Sequence, residues 1–357
     1  MKVMVMAGGT GGHVFPALAV AQVLRAQGHD IVWMGAPESF ESRTITPLGI
    51  PMELIRVSGL RGKGIVKLLQ APLLLLRAIR DALAAMRRQR PDVVLGMGGF
   101  AAGPGGLAAW LLGRPLVIHE QNAVAGLTNR LLARLATAVL EAFPGTFASA
   151  KTVGNPVRAG FVELPDPALR LDHPGARRVL VIGGSQGSRA LNELMPKALA
   201  LMPVAQRPLV RHQAGRTLEI AQRAYAETGV DASVEAFIPD MPVAYAWADL
   251  VVCRSGASTV AELGAAGCAA LLVPFPAAVD DHQTRNGEYL VRAGGALLVQ
   301  ESDLTPARLA SMLQELLTDR TRLVRMAQAA RTSANTQALQ QIVNECLSVA
   351  RAGGAAC

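Results

Sequence analysis

Aromatic side chains are scarce in this sequence, at 4% of its residues. Single-stranded nucleic acid is gripped by aromatic platforms set among basic residues, so that class of partner falls behind phosphorylated substrates and anionic lipid as the counterpart of a net charge of +8. The four cysteines, Cys253, Cys268, Cys346 and Cys357, have neither metal-ligand nor C-x-x-C spacing. They read as free thiols of a reducing compartment. No apolar run approaches the ~20 residues of a spanning helix, and Met1–Met6 has neither the length nor the cleavage pattern of a signal peptide. The expectation is a protein kept in the cytoplasm. Two nucleotide-loop signatures are missing as well. No Gly-Lys-Ser/Thr is present, which excludes a Walker A loop. A dinucleotide fingerprint started from Gly9 would need glycine where Val14 stands.

What is present is a repeated α/β grammar. At 357 residues, 51% of them hydrophobic, the chain suggests two domains packed from Ala, Val, Leu and Gly. Lys2-Val-Met-Val-Met-Ala7 reads as a buried strand, the glycines after it break it, and Val14 to Gln27 has helical spacing before Gly28. Further strands are predicted at 29–34, 92–95 and 115–118. The pattern restarts at Arg178-Val-Leu-Val-Ile182, with later strands at 249–253 and 270–273. Residues 163–177 hold prolines and charges without periodicity and read as a linker. The expected organisation is a first domain over 1–162 and a second over 178–337, with 338–357 helical and free to pack back on the first. The fold class is α/β: two Rossmann-like, doubly wound parallel-sheet domains facing a cleft.

Three glycine runs follow predicted strands: Gly8-Gly-Thr-Gly-Gly-His13, the run from Gly96 to Gly106, and Gly183-Gly-Ser-Gln-Gly187. Glycine permits positive φ and close backbone approach. A loop that opens a helix also offers N–H groups and the positive end of the helix dipole to a phosphate. A plain strand-to-helix turn is the simpler alternative, but four glycines in five residues exceed what a turn needs.

The ordered blocks Gly-Gly-Thr-Gly-Gly-His-Val-Phe-Pro-Ala (8–17), His-Glu-Gln-Asn (119–122), Gly-Asn-Pro-Val-Arg (154–158), Gly-Gly-Ser-Gln-Gly-Ser-Arg (183–189) and Cys-Arg-Ser-Gly-Ala-Ser-Thr-Val-Ala-Glu (253–262) resemble the MurG family, the N-acetylglucosaminyltransferases of peptidoglycan synthesis. The resemblance implies the GT-B fold and an inverting transfer of GlcNAc from UDP-GlcNAc to the C4 hydroxyl of MurNAc in lipid I, giving lipid II. It also implies a role in cell-wall biogenesis, cell shape and division, a peripheral place on the cytoplasmic face of the inner membrane, and cell-wall or division proteins as candidate partners. Nucleic acid is not among the expected partners. The alternatives are another GT-B transferase with a soluble acceptor, a UDP-GlcNAc epimerase, and a non-catalytic scaffold that binds nucleotide sugar.

Site roles carried over by the resemblance are these. His13 is a candidate base for the acceptor hydroxyl, or a donor to the acceptor diphosphate; as a bare helix-start histidine it would be unremarkable. Glu120 is a second catalytic candidate, orienting or charge-balancing the acceptor. Thr10, Gly11 and Gly12 match loop positions near the sugar, and Asn122, Arg158, Ser185, Gln283 and Asn286 match contacts to UDP-GlcNAc. Ile238 matches a position whose main chain reads uracil, and Ala257, Ser258, Thr259, Val260 and Ala261 lead to Glu262, the ribose-binding acid. A carboxylate suits a vicinal diol, though Thr259-Val-Ala-Glu262 also reads as a capping box with Glu at its third helical position. The tandem Asp280-Asp281 could mark a divalent metal, but more simply starts a helix lining the sugar pocket. The expectation is that neither metal nor cofactor is required. The leucine- and arginine-rich stretch 61–80 reads as a core-facing helix with a basic outer face, or as a patch for an anionic membrane surface. Pro72 within it is expected to start or break a helix.

Overall fold

The computed structural model of the chain describes residues 1–57, 65–184 and 186–354. These form two compact units, 1–156 together with 335–357, and 157–334.

The first unit is built on a parallel sheet of β1 (Lys2–Met6), β2 (Asp30–Gly35), β3 (Met52–Leu54), β4 (Val93–Gly96), β5 (Leu116–Glu120), β6 (Ala138–Glu141) and β7 (Lys151–Thr152), in the order β3-β2-β1-β4-β5-β6-β7. Every side chain of β1 from Val3 to Met6 is buried, because helices cover both faces of the sheet. Its alternation divides the core. Val3 and Val5 face Val14, Val20 and Leu24 of the helix Gly11–Ala26. Met4 and Met6 face Ala82, Ala85 and Met86 of the helix Ile65–Gln89. The C-terminal helix Ala338–Gly354 completes the first of these cores with Ile342, Val343 and Cys346, all fully buried.

In the second unit the parallel sheet runs β10-β9-β8-β11-β12-β13, from β8 (Arg178–Ile182), β9 (Leu209–Gln213), β10 (Ser233–Glu235), β11 (Leu250–Cys253), β12 (Ala270–Leu272) and β13 (Ala296–Leu298). One face packs Val179, Val181, Leu250 and Val252 against Leu191, Met195 and Leu199 of the helix Arg189–Ala200 and Leu309, Leu313 and Leu316 of the helix Pro306–Thr318. Two doubly wound parallel sheets match the expected fold class. In each, strand order reverses beside the first strand, between β1 and β4 and between β8 and β11. Ligands of such sheets bind outside the carboxyl ends of the strands at that reversal.

Two local readings change. Residues 163–177, expected as a linker, dock on the second unit. Asp166 caps the short helix Pro167–Arg170. Arg170 donates to the carbonyls of Ala266 and Gly267 at 2.7 and 2.6 Å, satisfying the end of the helix Ala257–Ala266. Arg331 gathers the carbonyls of Val162, Leu164 and Pro165, and His173 bonds Asp249 at 2.9 Å. Composition marks such a segment as irregular, but does not show that Arg170 and Arg331 tie it down through main-chain carbonyls. Pro72 neither starts nor breaks a helix; Ile65–Gln89 runs straight through it. Among the described residues no helix is long and apolar enough to cross a membrane.

Candidate functional site

In the first unit, the loops after β1 and β4 flank the strand-order reversal and touch. Gly99, at φ 88°, lies so close that a Cβ on it would stand 2.4 Å from the carbonyl oxygen of Gly8. Only glycine permits this approach. Gly99→Ala should therefore destabilise the protein by about 2 kcal/mol, from left-handed strain and a backbone clash, read as a lowered midpoint in urea. An unchanged midpoint would show that the two loops can separate without cost.

A buried carboxylate braces the same corner. Glu41 accepts from Gly9 N–H at 3.1 Å and from Ala36 N–H at 3.1 Å. One of the loop's amides is thus already committed to an internal anion. The helix opens at Gly11 with no side-chain cap on it, and Gly12 and Thr10 are exposed. His13 is half-buried and its Nδ1 lies 2.7 Å from Gln121 Oε1. Behind it, Gln121 Nε2 donates to His119 Nδ1 at 3.0 Å and to the His119 carbonyl at 3.1 Å. His119 Nε2 donates to the Gly154 carbonyl at 2.9 Å. Burial pulls the His119 imidazole down to about 4, so the ring is neutral at physiological pH.

Glu120, between His119 and Gln121, is the last residue of β5. It is buried on the opposite side of β5, and its carboxylate accepts from the main-chain N–H of Asn122 and Gly126 at 3.0 and 3.1 Å and from the side-chain amides of Asn122 and Asn129 at 3.2 and 2.9 Å. These four bonds shape the turn after β5. They leave the carboxylate engaged within the protein rather than facing outward, and they tie Asn122 to it.

The second unit presents a comparable corner. Ser188 caps the helix Arg189–Ala200, accepting from Leu191 N–H, at the end of the loop that starts at Gly183; Ser185 lies outside the described residues. Beyond β11, the helix Ala257–Ala266 begins after Gly256 without a side-chain cap, and Val260 N–H makes its first intrahelical bond, to the Gly256 carbonyl. Such an end presents N–H groups and positive dipole to an anion. This start excludes the capping-box alternative. With Gly256 as N-cap, Thr259 is the third helical residue and Glu262 lies a turn further on.

Glu262 is half-buried and accepts from the Tyr245 hydroxyl at 3.4 Å. Desolvation pushes its carboxyl up to about 7, and the charge of Arg158 pulls the other way. Exposed Arg158 lies 5.3 Å over the Phe161 ring, which meets Tyr245 edge-on at 5.2 Å. Sequence reading had no signal for Phe161 or Tyr245 beyond their being aromatic. Ala261 and Ser258 are half-buried beside Glu262, and Val260 faces the core.

Ile238 is buried, and its N–H is held by Gln213 Oε1 at 3.3 Å. Gln283 accepts from Phe275 N–H at 2.9 Å. Asn286 sits one turn deeper, fully buried, donating to the Ser255 carbonyl at 3.4 Å. Asp280 and Asp281 do precede a helix, His282–Arg292, both at positive φ, and Asp281 accepts from the Thr284 hydroxyl at 2.6 Å. Among the described residues no three His, Cys, Asp or Glu side chains are gathered as a metal would require.

The stretch 65–89 divides by burial. Ala78, Ala82, Ala85 and Met86 face the core, whereas Leu73, Leu75 and Leu76 are exposed, as are Arg77 and Arg80. Trp110 and Leu111, on the helix Ala102–Leu111 packed against it, are exposed too.

Comparisons with known proteins agree with this architecture. The N-terminal domain of glycosyltransferase family 28 matches residues 3–141, and the C-terminal domain of that family matches residues 178–342. A protein of Marinobacter nauticus named UDP-N-acetylglucosamine–N-acetylmuramyl-(pentapeptide) pyrophosphoryl-undecaprenol N-acetylglucosamine transferase is 56% identical over 354 residues, covering 98% of each chain. Its namesake in Nitrosococcus oceani is 55% identical over 98% of this chain and 99% of its own. The crystal structure of Acinetobacter baumannii MurG superposes with a TM-score of 0.87 at 43% identity, over 97% of this chain and 99% of that one.

Proposed function

The chain belongs to glycosyltransferase family 28, and from that membership we propose that it transfers N-acetylglucosamine from UDP-GlcNAc to the undecaprenyl-pyrophosphoryl-MurNAc-pentapeptide acceptor, lipid I. The observation that carries this is 56% identity, along 98% of both chains, to a transferase named for that donor and acceptor. A transferase with a soluble acceptor and an epimerase are not favoured, since relatives matched along nearly their whole length carry the lipid-acceptor name.

In the chemistry we propose, the acceptor C4 hydroxyl attacks the anomeric carbon of GlcNAc with inversion. The bond from that carbon to the β-phosphate oxygen breaks, UDP leaves, and His13 Nε2 takes the hydroxyl proton. Glu120, with its carboxylate engaged by four donors, holds the turn after β5 instead of reacting. Thr10, Gly11 and Gly12 line the acceptor side of His13. In the second unit Glu262 takes the ribose hydroxyls. The start of the helix Ala257–Ala266 meets the diphosphate with Ser258, Thr259 and Arg158, and Gln283 and the Ile238 main chain contact sugar and base. Uracil binding at Ile238 requires Gln213 to release the N–H it now holds.

The decisive assay is transfer of labelled GlcNAc to a lipid I analogue. Product of lipid II size with release of UDP is the expected result; hydrolysis or epimerisation of UDP-GlcNAc without transfer would remove the proposal.

We further propose that the chain works at the surface of an anionic membrane. Leu73, Leu75 and Leu76 stand outside the core beside Arg77 and Arg80, the composition of an interfacial helix. Ile65, Leu68 and Leu69 have side chains outside the described residues. Leu75→Gln with Leu76→Gln should weaken binding to vesicles containing phosphatidylglycerol roughly a hundredfold or more, since each buried leucine contributes ~1.5–3 kcal/mol and about 1.4 kcal/mol is tenfold. UDP-GlcNAc affinity should not change. Equal co-sedimentation of the variant and the parent would count against this surface.

A further inference from the structure

We infer that Gln121, backed by His119 and the Gly154 carbonyl, is a positioning residue that fixes the tautomer of His13 and leaves Nε2 as the atom able to accept a proton. The inference rests on the reading of His13 as the base. Hydrogen positions follow here from groups that have a single possible role. A main-chain carbonyl only accepts. Gly154 O, 2.9 Å from His119 Nε2, therefore places the His119 proton on Nε2 and leaves Nδ1 an acceptor. The His119 carbonyl, 3.1 Å from Gln121 Nε2, requires that end of the amide to be NH2, and the same nitrogen satisfies His119 Nδ1 at 3.0 Å. Two acceptors thus fix one amide orientation, without the ambiguity that usually attends glutamine and histidine.

Gln121 Oε1 must then face His13, and an amide oxygen only accepts. Nδ1 of His13, 2.7 Å away, carries its proton, so the lone pair of the neutral ring lies on Nε2. Among the described residues nothing hydrogen-bonds Nε2. Burial holding His119 down near 4 keeps that ring neutral, so its Nδ1 stays an acceptor at physiological pH. Gly98 closes the other side: a Cβ there would come within 2.9 Å of His13 Nδ1. The arrangement resembles a nucleophile–base–orienter relay in logic, with a neutral amide as orienter in place of a carboxylate. It orients the imidazole without adding a negative charge beside an acceptor that is itself anionic.

Nitrogen-15 NMR of the full-length protein labelled in histidine reads the tautomer directly, with the His13 signal assigned by its loss in His13→Asn. The expected result is a pyrrole-like shift at Nδ1 and a pyridine-like shift at Nε2. Gln121→Leu should mix the two tautomers and lower kcat roughly tenfold or more, within the ~10²–10⁴ that general-base catalysis contributes, while the KM for UDP-GlcNAc stays within about twofold. A wild-type ring protonated on Nε2 overturns the relay. If that ring belongs to a chain that still transfers GlcNAc, the proposed function survives the relay's failure. An Nδ1 proton in a chain that transfers nothing supports the relay and removes the function instead. Gln121→Leu with unaltered kcat and an unaltered His13 spectrum also overturns the relay, and the wild-type spectrum decides even if that variant fails to fold.

Discussion

His13→Asn should lower kcat for GlcNAc transfer by ~10²–10⁴-fold, the range attributable to a positioned general base, while leaving the affinity for UDP-GlcNAc within about twofold. Asparagine is chosen because its amide nitrogen falls near the place of Nδ1. It can still donate to Gln121 Oε1, the partner now 2.7 Å from the ring, so the buried amide keeps its bond. Alanine would strand that oxygen, at a cost of ~1–3 kcal/mol, and confuse lost chemistry with lost stability. What asparagine lacks is an atom at the place of Nε2. Thermal melting of the variant should match the parent, calorimetric titration with UDP-GlcNAc should match, and only turnover should fall. A kcat within tenfold of the parent would mean that the proton leaves by another route, and would return His13 to the ordinary helix-start histidine that its sequence position allows.

The sheets were legible where strands are short, apolar and buried on both sides, as at Lys2–Met6 and Arg178–Ile182. Some of the strands missed are apolar but only three or four residues long, as at Ala138–Glu141 and Ala296–Leu298, and others look polar out of context. β9 carries Arg211, His212 and Gln213, and its buried His212 makes sense only once Asn192 and the Tyr225 hydroxyl are seen at 2.9 and 3.1 Å. In the block His119-Glu-Gln-Asn, the emphasis fell on the charged residue. Strand period two already separates them: side chains at 119 and 121 share a side and 120 takes the other. If 119 and 121 serve His13, Glu120 faces away, toward Asn129 and Gly126. The start of the helix at Ala257 was hidden for a different reason. Gly256 has no side chain to announce a cap, whereas Thr259 and Glu262 imitate one. Glu41 had no sequence signal, because its role depends on the chain returning to Gly9 from 32 positions further along.

Glu262→Gln should weaken UDP-GlcNAc binding by ~10²–10⁴-fold and, above neutral pH, stabilise the ligand-free protein. Both effects have one cause. The carboxyl is half-buried beside Tyr245, and desolvation lifts it to about 7 against the opposing charge of Arg158. A carboxyl raised on folding favours the fold most below its unfolded value, near 4.5. That contribution is lost as pH climbs through about 7 and the charge must be borne in a poorly solvated place. A neutral amide of the same shape escapes the penalty, so the variant's melting temperature should exceed the parent's at pH ~8 and approach it at pH ~5. Ribose changes the balance. Two hydroxyls donating to an ionised carboxylate contribute ~1.5–3 kcal/mol each, and only the ionised form offers both oxygens as acceptors. The parent's dissociation constant should therefore fall as pH rises through about 7, with up to a ~10-fold change per unit on the acid side, and the variant's should not. Titrations of both proteins from pH ~5.5 to ~8.5 distinguish a ribose acceptor from a merely structural carboxyl: a structural Glu262 would leave binding intact in the variant and flat with pH in the parent. The residue that binds the nucleotide sugar is, on this account, a source of instability until the sugar arrives.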